Sequence, residues 1–228
     1  MANPLLEFHS GHYLRHTQRR QEHLATLGLP LAGRTVLEVG AGVGDHSTFF
    51  LDRGCDLTIS EVLDQNLRVL RERLPGQQIW KLDLDAPEAP DRTFEVVYAY
   101  GLLYHLSRPV EAIEFMAERC SDLLLVETCV SHGDEAALHM VEEDRSNPSQ
   151  AASGTGCRPT RRWVMDELGR HFPFVYVTVT QPWHEEFPLD WSSEPNPGLL
   201  TRAVFVASRS ALDNSLLTRD LPSRQSRG

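Results

Sequence analysis

Apolar residues fall along this chain in short blocks separated by polar turns. From Thr35 onward the blocks are of two alternating kinds. "RTVLEVG", "DLTISE", "QIWKLDL", "FEVVYAYG" and "SDLLLVETCV" are short runs rich in aliphatic and β-branched side chains, the signature of buried strands. "DHSTFFLDRG", "VLDQNLRVLRERLPG" and "RPVEAIEFMAERC" lie among them and space their apolar residues helically. Gly54 and the pair Pro75-Gly76 supply helix stops, since glycine takes the left-handed cap and proline cannot continue a helix. Strands alternating with helices predict a parallel sheet covered on both faces.

The ends of the chain differ from this pattern. The first thirty residues are expected to be helical, with Leu14, Gln18, Gln21 and Leu24 near helical spacing, until "GLPLAG" breaks the run. After residue 130, "SHGDEAALHMVEEDRSNPSQAASGTGCRPT" has no strand pattern; a short helix and then a loop of Asn, Pro, Ser and Gly are expected. A helix "TRRWVMDELGRHF" follows. Two β-rich runs, "FVYVTVT" and "TRAVFVASR", flank a Pro- and Trp-rich connection and predict a hairpin-like edge on the same sheet. The polar tail from Ser210 is expected to be partly disordered.

Composition narrows the function classes. A length of 228 residues with 41% hydrophobic content suits one well-buried α/β domain. No apolar run approaches the ~18 residues of a membrane span, and the N-terminal charges are in the wrong order for a signal peptide. A soluble, cytoplasmic protein without membrane contact is expected. The four cysteines form no C-x-x-C pair, which excludes a zinc knuckle and a dithiol redox motif. The formal net charge of -10 makes nucleic acid an unlikely partner, because phosphate binding needs many cationic contacts.

Candidate chemistry concentrates in "TVLEVGAGVGDHSTFF". Gly40, Gly42 and Gly44 follow the first strand directly, where missing β-carbons let the backbone approach a ligand. Glu61 ends the second strand, the usual place for an acid that holds ribose hydroxyls. A dinucleotide fingerprint would put its third glycine at position 45, which is Asp45 here. The Tyr-x-x-x-Lys pair of short-chain dehydrogenases is also absent: Lys81 is the only lysine, and Gln77 precedes it by four.

At these residues the chain resembles the class I S-adenosylmethionine-dependent methyltransferase family. "VLEVGAGVG" is similar to the family's first motif, through Glu38, Gly40, Gly42 and Gly44. The resemblance covers about residues 34–209 and implies a seven-stranded, mostly parallel sheet with helices on both faces and an antiparallel last strand. It implies S-adenosylmethionine as cofactor, with Glu61 on the ribose, Asp83 and Leu84 at the adenine, and Tyr100 in the segment that ends the fourth strand. Residues 1–33 are then a helical lid, in which Tyr13 would touch the methionine end of the cofactor and Arg15 its carboxylate. Residues 131–162 are a substrate-side insertion, and 210–228 a tail.

An oxygen acceptor needs its proton removed, for which histidine is suited. His105 after the fourth strand and His132 after the fifth are the candidate bases, with the alternatives that His105 only shapes its loop and His132 is a solvated helix start. Glu127 is a third candidate. His9, His12 and His16 have helical spacing, but an amphipathic helix explains them, and no metal is expected. Asn147 and Gln150 offer amides to an acceptor. Arg158, Arg161 and Arg162 would gather at a helix N-terminus capped by Thr160, suited to an anion or else to surface ion pairs. Trp183 and Trp191 suit stacking on a ring or core packing. The expected function is O-methylation of a small polar molecule such as a sugar, glycan or natural-product intermediate. RNA or protein methylation and a non-catalytic nucleotide-binding domain are the alternatives; oligomeric state is open.

Overall fold

The computed structural model describes residues 3–193 and 198–228; the stretch "EPNP" within the Pro- and Trp-rich connection lies outside them. Two helices open the chain, α1 (Pro4–Phe8) and α2 (Gly11–Thr26). Alternating elements follow: β1 (Thr35–Val39), α3 (Ser47–Leu51), β2 (Asp56–Glu61), α4 (Asp64–Arg73), β3 (Gln78–Lys81), β4 (Phe94–Tyr100), α5 (Pro109–Glu118) and β5 (Cys120–Cys129). The second half holds β6 (Leu138–Glu142), β7 (Thr155–Pro159), α6 (Arg161–Gly169), β8 (Phe174–Thr178), β9 (Thr180–Gln181), β10 (Arg202–Ser208), β11 (Leu217–Thr218) and β12 (Ser226–Arg227).

Eight strands form the central sheet in the order β11-β8-β10-β5-β4-β1-β2-β3. β3, β2, β1, β4 and β5 pair in parallel. β10 runs antiparallel between β5 and β8, with Arg202 opposite Cys129 and Phe205 opposite Val126. The expected α/β sheet with an antiparallel last long strand is therefore present. It gains an eighth strand, because β11 from the tail adds to the edge of β8.

Both faces of the sheet are buried, which explains why its strands read as continuous apolar runs. Successive strand residues alternate between the faces. Leu37, Val97, Leu124 and Phe205 pack with Ile113 and Met116 of α5 and Val164 and Leu168 of α6. Val36, Tyr98, Leu125 and Val204 pack with Leu24 of α2, Phe50 of α3 and Leu67 of α4. Strand order reverses at β1, where connections leave in opposite directions and open a crevice at the carboxyl ends.

Two segments depart from the sequence expectation. The insertion is a hairpin, not a helix and loop: β6 pairs antiparallel with β7 in the register Leu138 to Pro159 through Glu142 to Thr155. The tail is ordered against the body. Gln225 donates to Thr178 O at 2.5 Å, accepts from Trp191 Nε1 at 2.6 Å, and β12 pairs with β9. Asn214 donates to Leu27 O at 2.8 Å. Polar bonds of this kind leave no hydrophobic pattern.

Candidate functional site

The glycine turn leaves β1 with a left-handed backbone at three positions: φ is 67° at Gly40, 59° at Gly42 and 84° at Gly44. A β-carbon at Gly40 would lie 2.6 Å from Leu102 Cδ1, and one at Gly42 would lie 2.9 Å from Phe8 Cε1. Only glycine suits such positions, and the bare backbone there faces a cleft. Glu61, at the end of β2, turns back under the turn. Its Oε2 accepts from Gly42 N at 2.8 Å, and its Oε1 accepts from Val62 N at 2.8 Å and Leu63 N at 2.9 Å. Burial raises its carboxyl above the usual range, and the backbone donors oppose that shift.

The cleft has about 1040 Å³ of atom-free space including its open mouth, enough for a nucleoside cofactor and a small acceptor. Asp83, Leu84, Tyr100, Tyr13 and Gln150 line it, as do Gly40, Gly42 and Glu61. Leu84 is buried and Asp83 exposed, with Asp83 Oδ1 accepting from Asp85 N at 2.9 Å. Tyr13, His16, Thr17 and Arg20 all reach the cleft from one stripe of α2. The stripe is polar because it faces a site rather than a core.

At the cleft wall, Arg20 and Arg202 belong to a buried ionic chain that only the fold assembles. Arg20 Nη1 donates to Glu127 Oε2 at 2.9 Å, and Arg202 Nη1 donates to Glu127 Oε1 at 3.0 Å. Arg202 also donates to Glu186 Oε2 at 2.5 Å and to the Tyr104 hydroxyl at 3.0 Å. Burial would raise the Glu127 carboxyl, but Arg202 and Arg20 outweigh it and hold it below the usual range. Tyr100 Oη and Arg20 Nε are buried without a partner and belong to cleft-lining residues. Buried polar atoms normally find partners, so these two fit a cleft completed by a polar ligand. Burial, with Arg20 and Arg202 nearby, drives the His16 imidazole far below its ordinary range, leaving it neutral.

His105 stands in a short 3₁₀ turn after β4, lines the cleft, and is met by a residue the sequence did not single out. Glu143, just past β6, accepts from His105 Nδ1 at 2.5 Å. The same carboxylate accepts from Ala151 N at 2.8 Å and from Arg158 at 3.3 Å. Burial lowers the His105 imidazole and Glu143 partly restores it; the net position is below the ordinary value of 6.5. Burial pushes Glu143 up, and the bond to His105 with the charges of His105 and Arg158 holds it below the usual range. Glu143 went unnoticed because it is thirty-eight residues from His105, inside a segment expected to hold only a short helix and a loop.

Other expected site residues lie off the cleft. Glu38 sits beneath the turn, where it accepts from the Ser47 hydroxyl at 2.5 Å and burial pushes it up to about 8. Arg15 faces outward in a two-bond pair with Glu185, at 2.6 Å and 2.5 Å; Arg20, one and a half turns on, faces the cleft. His132 is not among the cleft residues. Asn147 spends its side-chain oxygen on Ser149, at 2.9 Å to N and 2.8 Å to Oγ, while its neighbours Pro148, Ser149 and Gln150 reach the cleft. Arg158 is committed to Glu143 and Tyr104 O. Thr160 does cap α6, accepting from Trp163 N at 3.3 Å, but Arg161 stacks on Trp191 at 3.8 Å and donates to Pro222 O. Trp183 is exposed.

Comparison with known proteins agrees with this geometry. Residues 36–124 match a family model described as "Methyltransferase domain". A tRNA U34 carboxymethyltransferase of Azotobacter vinelandii is 33% identical over 127 residues, covering 51% of this chain and 39% of that protein. Its counterpart in Aeromonas salmonicida is 36% identical over 112 residues, covering 46% of this chain and 34% of that protein. The chain thus spans between about a third and two fifths of the length of these relatives. The N-terminal domain of EvdMO1, solved in the presence of S-adenosylhomocysteine and D-fucose, shares the fold with a TM-score of 0.64 at 18% identity, over 87% of this chain and 84% of that one. An S-adenosylmethionine-dependent methyltransferase from Mesorhizobium loti has a TM-score of 0.59 at 15% identity, over 84% and 98% of the two chains. No helix among the described residues is long and apolar enough to cross a membrane. With the glycine turn, the Glu61 cradle and the sheet order in place, residues 36–124 match a methyltransferase domain, and the chain has the class I, Rossmann-like fold of the S-adenosylmethionine-dependent methyltransferases it resembles.

Proposed function

We propose that the chain is an S-adenosylmethionine-dependent methyltransferase that methylates an oxygen of a small polar acceptor, with His105 as the base and Glu143 as the group that orients it. The observation that carries this reading is the 2.5 Å bond from His105 Nδ1 to Glu143, made by a residue of the insertion. When bound, S-adenosylmethionine supplies an electrophilic methyl group on a sulfonium. The chain's own residues do the rest. Glu61 and the glycine backbone hold the nucleoside end, and Tyr13 and Arg20 lie where α2 covers the cleft. With Nδ1–H committed to Glu143, Nε2 of His105 is the nitrogen left to take the acceptor's proton. The carboxylate stabilises the imidazolium that forms, as an orienting acid does in other base dyads. Pro148 to Gln150 close the acceptor side and help exclude water.

A second reading rests on the relatives, whose names specify carboxymethyl transfer to tRNA. A carboxymethyl group carries a carboxylate, and Arg20 and Arg202 both line the cleft. Against an RNA acceptor stands the net charge of -10, since each phosphate contact needs a cation. The two readings separate in one experiment, because S-adenosylmethionine carries a methyl and not a carboxymethyl group. The second reading requires a different, carboxymethyl-bearing donor and predicts no transfer from S-adenosylmethionine to either acceptor. Incubation with S-adenosylmethionine labelled on its methyl group, together with bulk tRNA or a small-molecule extract, should label the small-molecule fraction. Labelled tRNA, or no transfer from S-adenosylmethionine to either, would reject the small-acceptor reading. A His105→Gln variant should bind S-adenosylhomocysteine normally and lose transfer.

A further inference from the structure

Next to the cleft, away from the glycine turn, three histidines and two glutamates meet. His12 and His16 sit one turn apart on α2. His184, Glu185 and Glu186 come from the connection after β9, far away in sequence. His16, His184 and Glu186 are each about 95% buried or more, at 2%, 2% and 5% exposure. Their ligand atoms lie within 4.8 Å of one another, and His12, His184 and Glu185 form a second such triad that shares His184. His12 Nε2 is 3.3 Å from Glu186 Oε1, and His16 Nε2 is 3.6 Å from Glu186 Oε2. The His16 and His184 rings stand 4.7 Å apart, centre to centre.

The Nε2 atoms of both buried histidines have no hydrogen-bond partner. Two orphaned imidazole nitrogens facing one carboxylate in a buried pocket are expensive unless something binds them. An amphipathic helix does not by itself explain His16: one side of its ring packs on Phe187, but its Nε2 is turned toward Glu186 in this cluster.

We propose that the cluster binds one divalent transition ion of the zinc class, held by His16, His184 and Glu186 with His12 completing the set. Imidazole donors with one carboxylate suit zinc and its neighbours, whereas magnesium and calcium require oxygen ligands. A tetrahedral site with metal–ligand bonds of ~2.0–2.1 Å needs ligand atoms roughly 3.3 Å apart. The His12–Glu186 spacing of 3.3 Å already meets this, and side-chain rotation brings in the others. Glu186 keeps Oε2 on Arg202 and offers Oε1. His184 Nδ1 now accepts from Glu186 N at 3.3 Å. Binding through Nε2 moves its proton to Nδ1 and gives up that long bond. The ion would tie the covering helix α2 to the connection that carries Glu186, and through Glu186 to Arg202 at the cleft wall. Its role is positional, and no step of alkyl transfer passes through it.

The test is metal binding by the intact, chelator-stripped chain. Zinc should be retained through gel filtration at one equivalent per chain. His184→Gln and His16→Gln should each weaken zinc binding at least about tenfold, while His139→Gln, an exposed control in the insertion, should not. Because the buried variants could misfold, two further measurements stand on other protein: the exposed His12→Gln variant, which should also bind more weakly, and cobalt substitution of the wild type, which should give the visible absorption of a tetrahedral nitrogen and oxygen site. Retention below about a tenth of an equivalent, an octahedral cobalt spectrum, or binding unchanged by His12→Gln and His184→Gln would overturn the proposal.

Discussion

Replacing Glu143 with Gln isolates the group on which the proposed chemistry depends. The substitution keeps the size and one acceptor oxygen but removes the charge that meets His105 Nδ1 at 2.5 Å. A hydrogen bond to a charged group contributes about 1.5–3 kcal/mol, and 1.36 kcal/mol is a factor of ten in rate, so the plateau of kcat should fall roughly 10- to 150-fold. The pH profile moves too. His105 acts when neutral, so activity rises as pH passes upward through its pKa, which lies below the ordinary 6.5. Glu143 partly offsets the effect of burial on that pKa; without it the imidazole falls further. The acidic limb therefore shifts to lower pH while the plateau drops. Initial rates from pH 5 to pH 9 on the folded variant, with S-adenosylhomocysteine affinity as the control, give both quantities. A variant with unchanged affinity, plateau and limb would refute the role of the dyad.

Two other perturbations test the scaffold. Gly40→Ala forces a side chain into φ 67° and against Leu102 at 2.6 Å; the left-handed backbone alone costs about 1–2 kcal/mol, or about 2–8 °C in Tm at this chain length, and S-adenosylhomocysteine binding should weaken by more than tenfold in calorimetric titration. Stability should fall in mild acid. Burial lowers His23 from its ordinary 6.5 to about 4, against a hydrogen bond with Thr180 that opposes the shift. A histidine kept neutral by folding contributes fully above the unfolded value and loses its contribution as pH falls from 6.5 to about 4, here about 3 kcal/mol. His16 and His46 shift in the same direction. Urea unfolding at pH 7 and pH 4.5 measures the difference.

The parallel half of the fold was legible because buried strands and covering helices leave plain periodic signals. β1 to β5 and their helices fall where apolar blocks placed them. The glycine turn, Glu61, and Asp83 with Leu84 stand at the carboxyl ends of β1, β2 and β3, so their places follow from the strand pattern alone. Residues brought together by tertiary contact were not. Arg20 was hidden on α2 because the buried stripe of that helix is polar, whereas Leu14, on the stripe the apolar pattern favoured, is 46% exposed. Glu143 and Glu186 reach their histidines across long connections, and one-dimensional spacing says nothing of such encounters. The three arginines near α6 illustrate the reverse error: they are neighbours in sequence, but stacking on Trp191 and pairing with Glu143 send Arg161 and Arg158 to different places.

Titration of the chain with S-adenosylhomocysteine, beside a Glu61→Ala variant, bears most directly on the cleft assignment. Glu61 accepts from three backbone N–H groups at the rim of the glycine turn, so it both shapes the cradle and presents its acid to a ribose. The wild type should bind, NAD should not compete, and Glu61→Ala should bind at least about tenfold more weakly. Binding of equal strength in both proteins, or displacement by NAD, would contradict the placement of the cofactor at this turn.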